Sequence, residues 1–236
     1  MLIKQIHRVF ALKSYFVTAT DTEIGKTVIT AGLASAIRSK GIDVGVMKPF
    51  ACGTPQEHGF RSEDAQILAR AAGVNDPEDL INPCFFSIPV SPYLAARKIG
   101  ATIDVGQVLT KFEKLRSLHQ VLLVEGIGGI LTPILRDYCV ADLIKDMNLE
   151  VLIVTSSKIG TVNHTLLTCD ACKKYGIGIR GIVINNYDSA GYDVADLAND
   201  LTNLSGVEVL CAIPHLGDQS KLPEMLADTL VPKLTF

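Results

Sequence analysis

A chain of 236 residues with 48% hydrophobic side chains and a mean hydropathy of +0.30 can bury a sizeable core, which excludes a disordered or low-complexity protein. Its 22 basic and 25 acidic side chains leave a net charge of −3 with no basic block, so nothing in the charge points to nucleic acid as a partner. No apolar run approaches the roughly 20 residues of a membrane helix, Met1–Lys13 is too weakly apolar for a secretory signal, and six cysteines over this length do not make a disulfide framework. The expectation is a cytoplasmic protein, with residues 1–13 as a short extension and 14–236 as a single α/β domain.

In chain order, the apolar run Tyr15–Thr20 reads as a strand, Asp21–Gly25 as a polar turn and Lys26–Ser39 as an amphipathic helix. Val44–Lys48 is a second strand and Glu63–Ala72 a helix. Residues 75–100 break the rhythm with Pro77, Pro83, Pro89 and Pro92, and read as a long loop with a short helix near Tyr93–Lys98. An ordered loop of that length is available to wall a site. Helix and strand then alternate: Val105–Leu118, Val121–Glu125, Ala141–Met147, Val151–Thr155, Val162–Tyr175, Ile179–Asn185, Val194–Leu204 and Val207–Ile213. The strand segments are rich in Val and Ile and nearly continuous in apolarity, as strands covered on both faces should be. The pattern predicts a doubly wound, mainly parallel sheet with helices on both faces, binding ligands beyond the carboxyl ends of its strands.

The first strand runs into Thr18-Ala-Thr-Asp-Thr-Glu-Ile-Gly-Lys-Thr27, and strand, Gly25-Lys26-Thr27 and helix in that order form a phosphate-binding loop. Backbone N–H groups at such a helix start can cradle phosphates, the lysine reaches the terminal ones, and the threonine hydroxyl completes a magnesium shell. The usual glycine five positions before Gly25 is Thr20 here, so the reading leans on the strand context and the intact Gly-Lys-Thr. The plain alternative is a chance Gly-Lys-Thr at a helix start.

Other strand ends carry polar groups. Lys48, in Lys48-Pro-Phe-Ala-Cys-Gly53, is either a charge-neutralising lysine or a snorkelling surface one. Asp64, in Ser62-Glu-Asp, is either a first-turn helix acid or a magnesium ligand. Glu125 ends an apolar strand and enters Gly126-Ile127-Gly128-Gly129, where a carboxylate can meet magnesium held by Thr27 and glycines let backbone approach a ligand. Lys158 to His164 precedes a helix and suits an anion such as a carboxylate. The amides of Asn185 and Asn186 can pair with an adenine edge, or simply turn the chain. Cys169 and Cys172 form a C-x-x-C inside a helix and read as buried free thiols. The five histidines are scattered, without metal-ligand spacing.

Together with Ser91-Pro, Gly160-Thr-Val-Asn-His164 and Ile213-Pro, these motifs resemble the dethiobiotin synthetases, ATP-dependent ligases of the P-loop NTPase superfamily, from about Tyr15 to Leu216. The resemblance implies a homodimer that takes ATP as co-substrate and Mg2+ as cofactor, and carboxylates 7,8-diaminononanoate with CO2 before closing the ureido ring. By similarity, Lys48, Lys26 and Thr22 are catalytic, and Thr27, Asp64 and Glu125 hold the metal. Glu23, Ile24, Gly25, Lys26, Thr27 and Val28 hold the phosphates, Gly126, Ile127 and Gly128 are further nucleotide contacts, and Asn185, Asn186, Pro214, His215 and Leu216 frame adenine and ribose. Cys52, Ser91, Gly160, Thr161 and Asn163 bind the substrate, whose carboxylate is received across the dimer interface. The sequence departs from the family at Ala19 (often glycine, and safe with a negative φ), at Cys52 (usually serine) and at Lys221 (where an acid is expected near the ribose). Two alternatives remain open at this point: a related P-loop amidoligase of the cobyrinic acid type, and a positioning or switch ATPase. The latter usually carries an extra lysine early in the loop, and Ala19 to Glu23 contain none.

Overall fold

The computed structural model describes residues 14–187 and 191–235; the extension expected at 1–13 lies outside them. In chain order the elements are β1 (Tyr15–Ala19), α1 (Lys26–Ser39), β2 (Val44–Met47), β3 (Phe50–Cys52), α2 (Glu63–Ala72), α3 (Glu78–Ile81) and β4 (Cys84–Phe86). They continue with α4 (Pro92–Ile99), α5 (Val105–Leu118), β5 (Val121–Glu125), β6 (Pro133–Leu135), β7 (Tyr138–Cys139), α6 (Val140–Met147) and β8 (Glu150–Thr155). The last are α7 (Thr161–Tyr175), β9 (Ile179–Tyr187), α8 (Val194–Ser205), β10 (Val209–Pro214) and α9 (Leu222–Thr229).

Six strands form one parallel sheet in the order β10-β9-β8-β1-β5-β2. Residues alternate between its faces. Tyr15 and Val17 pack with Ile29, Leu33 and Leu226 under α1, α2 and α9, whereas Phe16 joins Phe112, Leu115 and Ile144 under α5 and α6. Burial of both faces explains why β1 and β5 are apolar almost throughout. The chain builds β2 and β5 on one side of β1 and then crosses to β8 on the other. That reversal opens a crevice at the carboxyl end of β1. Its floor is set by register: Val17 lies opposite Glu125, and Ala19 opposite Val154.

The structure corrects the sequence reading of residues 75–100. The short helix expected near Tyr93–Lys98 is present as α4, but the rest is not bare loop: it carries α3 and the three-residue strand β4. Strand β4 pairs in parallel with β3, Phe50 opposite Cys84 and Cys52 opposite Phe86. A triplet is too short to show a period, and its partner lies far away in sequence. The β6–β7 hairpin and α9 were missed for related reasons. The two hairpin strands hold five residues between them, and α9 is a short helix with a proline as its second residue, directly after a 3-10 turn. Boundaries elsewhere differ by one or two residues, as with β10, which starts at Val209 and ends at Pro214.

Leu33 is fully buried between α1 and the sheet. Leu33→Ala should lower stability by about 3 kcal/mol, read as a reduced denaturation midpoint at unchanged slope. A parent-like midpoint would show that α1 does not carry that face of the core.

Candidate functional site

Strand β1 ends at Ala19, and Thr20 N–H bonds Val154 O at 3.1 Å, which launches the loop over the crevice. Glu23 and Gly25 take left-handed backbone, φ 58° and 93°. A Cβ at Gly25 would run into the Asn185 amide, so only glycine fits there. Asn185 Nδ2 in turn donates to Ile24 O at 2.9 Å and pins the loop to β9. The first bond back to the loop is from Ile29 N–H to Gly25 O, which leaves the earlier N–H groups of α1 facing the crevice. Ala19 replaces a glycine without strain, because the non-glycine residues at positive φ among those described are Glu23, Asn148 and Asn186.

The charged groups converge here. Lys48 follows β2 and is 3% exposed; its Nζ meets Glu125 Oε1 at 2.5 Å, Asp64 Oδ2 at 2.9 Å and Gly126 O at 3.1 Å. Thr27 Oγ1 donates towards the same two carboxylates, at 2.8 Å from Glu125 Oε1 and 3.1 Å from Asp64 Oδ1. Burial opposes the Lys48 charge, yet Glu125 and Asp64 outweigh it and hold the ammonium above its ordinary range. For Asp64, burial is likewise outweighed by Lys48 and the Thr27 bond, so its carboxyl sits below the usual range. Lys26, 7% exposed, donates to Asp21 O at 3.1 Å. Burial and then the Lys48 charge push its pKa down to about 8. Glu125 is fully buried, and its Oε2 has no hydrogen-bond partner among the described residues. A hydroxyl and two carboxylates, one with a free buried oxygen, are the hard-oxygen donors a magnesium ion takes.

Behind the loop, a cleft of about 270 Å³ is walled by Glu23, Ile24, Val28, Asn185, Asn186, Pro214, His215 and Leu216, all expected nucleotide contacts. Sequence reasoning missed Ser156, Gln219 and Leu222 in the same wall, none of which belongs to a recognisable motif, and Lys158, expected at an anion-binding helix start, lines this cleft as well. Asn185 Nδ2 donates one N–H to Ile24 O, and its amide side chain stands in the wall of this cleft. Asn186, at φ 55°, lies 2.7 Å through its Oδ1 from His215 Nδ1.

The remaining expected residues are less tightly gathered. Thr22 is exposed and turned to its neighbour, its N–H and hydroxyl bonding Asp21 Oδ1 at 2.7 and 3.4 Å, and it makes no bond to the Lys48 cluster. Gly126 lends Lys48 its carbonyl, and Ile127 and Gly128 continue the half-buried turn. Cys52 ends β3 half-buried, with burial pushing its thiol up to about 11. Ser91 caps α4 without a side-chain bond. Gly160, at φ 96°, opens α7, and Asn163 is exposed on its first turn. Thr161 is buried instead, its hydroxyl 2.6 Å from Thr155 Oγ1 and 2.9 Å from Ser156 O, so that group braces the helix start and is not presented outward. Lys221 is exposed on a single 3-10 turn. Cys169 and Cys172 are buried free thiols in α7. No described helix is long and apolar enough to cross a membrane.

Solved structures of similar fold include a ParA family ATPase from Chlorobium tepidum, at 18% identity over 90% of each chain with a TM-score of 0.56. Another is the septum site-determining protein MinD with Mg-ADP from Pyrococcus horikoshii, at 16% identity, 93% and 88% coverage and a TM-score of 0.57. At such identities the likeness concerns the fold alone. A sequence-family model described as an AAA domain matches residues 13–221. The ATP-dependent dethiobiotin synthetase BioD of Nitrosopumilus maritimus is 56% identical over 89% of this chain and 92% of its own length. The protein of the same name from Bacillus velezensis is 38% identical over 93% and 91%. With near-full-length matches at these identities, and with the phosphate loop, Lys48, Asp64 and Glu125 drawn into one cluster, the chain belongs to the ATP-dependent dethiobiotin synthetase family.

Proposed function

We propose that this chain uses ATP, with Mg2+, to carboxylate 7,8-diaminononanoate with CO2 and to close its ureido ring, yielding dethiobiotin, ADP and phosphate for biotin formation. One amine adds to CO2 and loses a proton, giving a carbamate. A carbamate oxygen then attacks the γ-phosphorus, and the bond to the β-phosphate oxygen breaks with release of ADP. The second amine attacks the carbonyl carbon of the resulting carbamic–phosphoric anhydride, and phosphate leaves as the ring closes.

Each of these species is anionic, so positioning and charge neutralisation carry the rate. The observation that supports the reading best is the Lys48 ammonium held between Glu125 and Asp64 beside the buried Lys26. In this reading Lys26 and Lys48 meet the phosphoryl and carbamate oxygens, with Thr22 nearby. An incoming phosphate returns to Lys26 the charge stabilisation that burial removes. Thr27, Asp64 and Glu125 are the residues that would hold Mg2+, which supplies charge neutralisation at the phosphates when bound. Asn185, Asn186 and Pro214 to Leu216 take adenine and ribose.

The diamine lies against Cys52 and Ser91, with its carboxylate received by backbone and polar groups at Gly160 to Asn163 of a second copy. Support for a homodimer comes from exposed apolar side chains around that helix start: Ile159 at 79% exposure, Leu167 at 60% and, across an open groove from it, Leu131 at 55%. Free thiols at all six cysteines fit the reducing cytoplasm as its location.

Incubation with the diamine, bicarbonate, ATP and Mg2+ should yield dethiobiotin by mass analysis, and Lys26→Ala should lower kcat on the order of 10²-fold or more. No product at saturation refutes the activity; a near-normal Lys26→Ala removes the role given to that lysine. Only the thiolate is nucleophilic, so alkylation at Cys52 should be slow at pH 8 and rise about tenfold per pH unit until close to pH 11. Peptide mass spectrometry at Cys52 reads this, and a rate that levels off near neutral pH contradicts the buried thiol.

A further inference from the structure

Strand β2 lies at the edge of the sheet, so the residue that leaves it, Lys48, has no sheet neighbour on its outer side. Two consecutive residues at the end of α3 fill that role. Lys48 N–H donates to Ile81 O at 2.7 Å, and Lys48 O accepts from Asn82 Nδ2 at 2.7 Å. A parallel partner strand would supply the second bond from its own backbone, but the next residue is Pro83, which has no N–H. The Asn82 amide stands in for that missing donor. The pairing then continues through Cys84 N–H to Pro49 O and Gly53 N–H to Phe86 O, at 3.2 and 3.0 Å.

Packing alone does not account for an amide at this position. Asn82 is fully buried and its Oδ1 has no partner among the described residues, a cost that an apolar side chain of the same shape would avoid. What the amide contributes is its donor. Lys48 reaches Glu125 and Asp64 through four methylenes, and it reaches them reproducibly only while its main-chain dihedrals are fixed.

We propose that Asn82 is a positioning residue for the reaction: by holding the Lys48 carbonyl it sets where the Lys48 ammonium stands relative to the reacting oxygens. The inference rests on the charge-neutralising role given to Lys48 above.

The test compares Asn82→Leu, which keeps the shape and loses the donor, with Asn82→Ser, which leaves a void and keeps a hydroxyl donor. Each is made in the parent and in a Lys48→Met background, with single-turnover phosphate release to resolve slow variants. Asn82→Leu should lower kcat about tenfold with the KM for ATP within about twofold, Asn82→Ser should lower it less, and neither should add a loss on top of Lys48→Met. A packing role gives the reverse order, since the smaller residue leaves the larger cavity. That order, a parent-like Asn82→Leu, or losses that multiply with Lys48→Met would overturn the proposal. Should Asn82→Leu not fold, the Asn82→Ser cycle decides by the same criterion. A parent-like kcat for Lys48→Met alone would refute the premise about Lys48, a result separate from the fate of Asn82.

Discussion

A buried ammonium gripped by two carboxylates is the interaction on which the site is built. Lys48 stands between Glu125 and Asp64, and the three come from different parts of the fold: the exit of β2, the end of β5 and the first turn of α2. Charges in such a place are costly unless paired, and removing one partner from a buried pair costs about 3–5 kcal/mol. The cluster therefore fixes where three separately built elements meet. Thr27 ties the phosphate loop into it through the same two carboxylate side chains that would hold a cation, so fold and chemistry depend on one set of residues.

Around that cluster the architecture works by simple means. Parallel strands buried on both faces keep β1 and β5 rigid and in register, so that Glu125 lies opposite Val17 and its side chain comes up beside the start of α1. The loop between β1 and α1 needs one glycine in a left-handed conformation with no room for a Cβ, and the rest of its shape is fastened by Asn185. Lys26 pays a desolvation penalty that leaves it ready for an anion. The groups proposed for the substrate are looser: Cys52 and Ser91 lie on short elements, and in the proposed arrangement the exposed Asn163 reaches the substrate from a second copy.

Much of this was legible in the chain itself. Long apolar strands and the spacing from Tyr15 to Thr27 announce the sheet and its loop, because burial on both faces and a strand–turn–helix junction leave strong local patterns. Lys48 and Asp64 each carried two readings in sequence, and only tertiary contact chose: Lys48 is not a surface lysine, and Asp64 serves as first-turn acid and cluster member at once. The short β3–β4 pair, α9 and the role of Asn82 were not legible. Triplets have no period, and Asn82 acts through a bond to a carbonyl 34 residues earlier, which no local signal encodes. The bracing of Thr161 was not legible either: its motif suits a ligand, while its hydroxyl bonds Thr155 and Ser156.

The helix α9 has a consequence of its own. Leu222 and Leu226 press so closely on α1 that a Cβ at Gly32 would lie 2.9 Å from both, while Gln219 and Leu222 also wall the cleft behind the phosphate loop. In the proposed reading, the tail of the polypeptide is thus part of the nucleotide's enclosure as well as of the hydrophobic interior. Occupancy of that enclosure and ordering of the tail are thermodynamically linked, so each favours the other by an equal free energy. Saturation with nucleotide would in this way protect α9 and the turn before it from local opening, far from where bonds are made and broken.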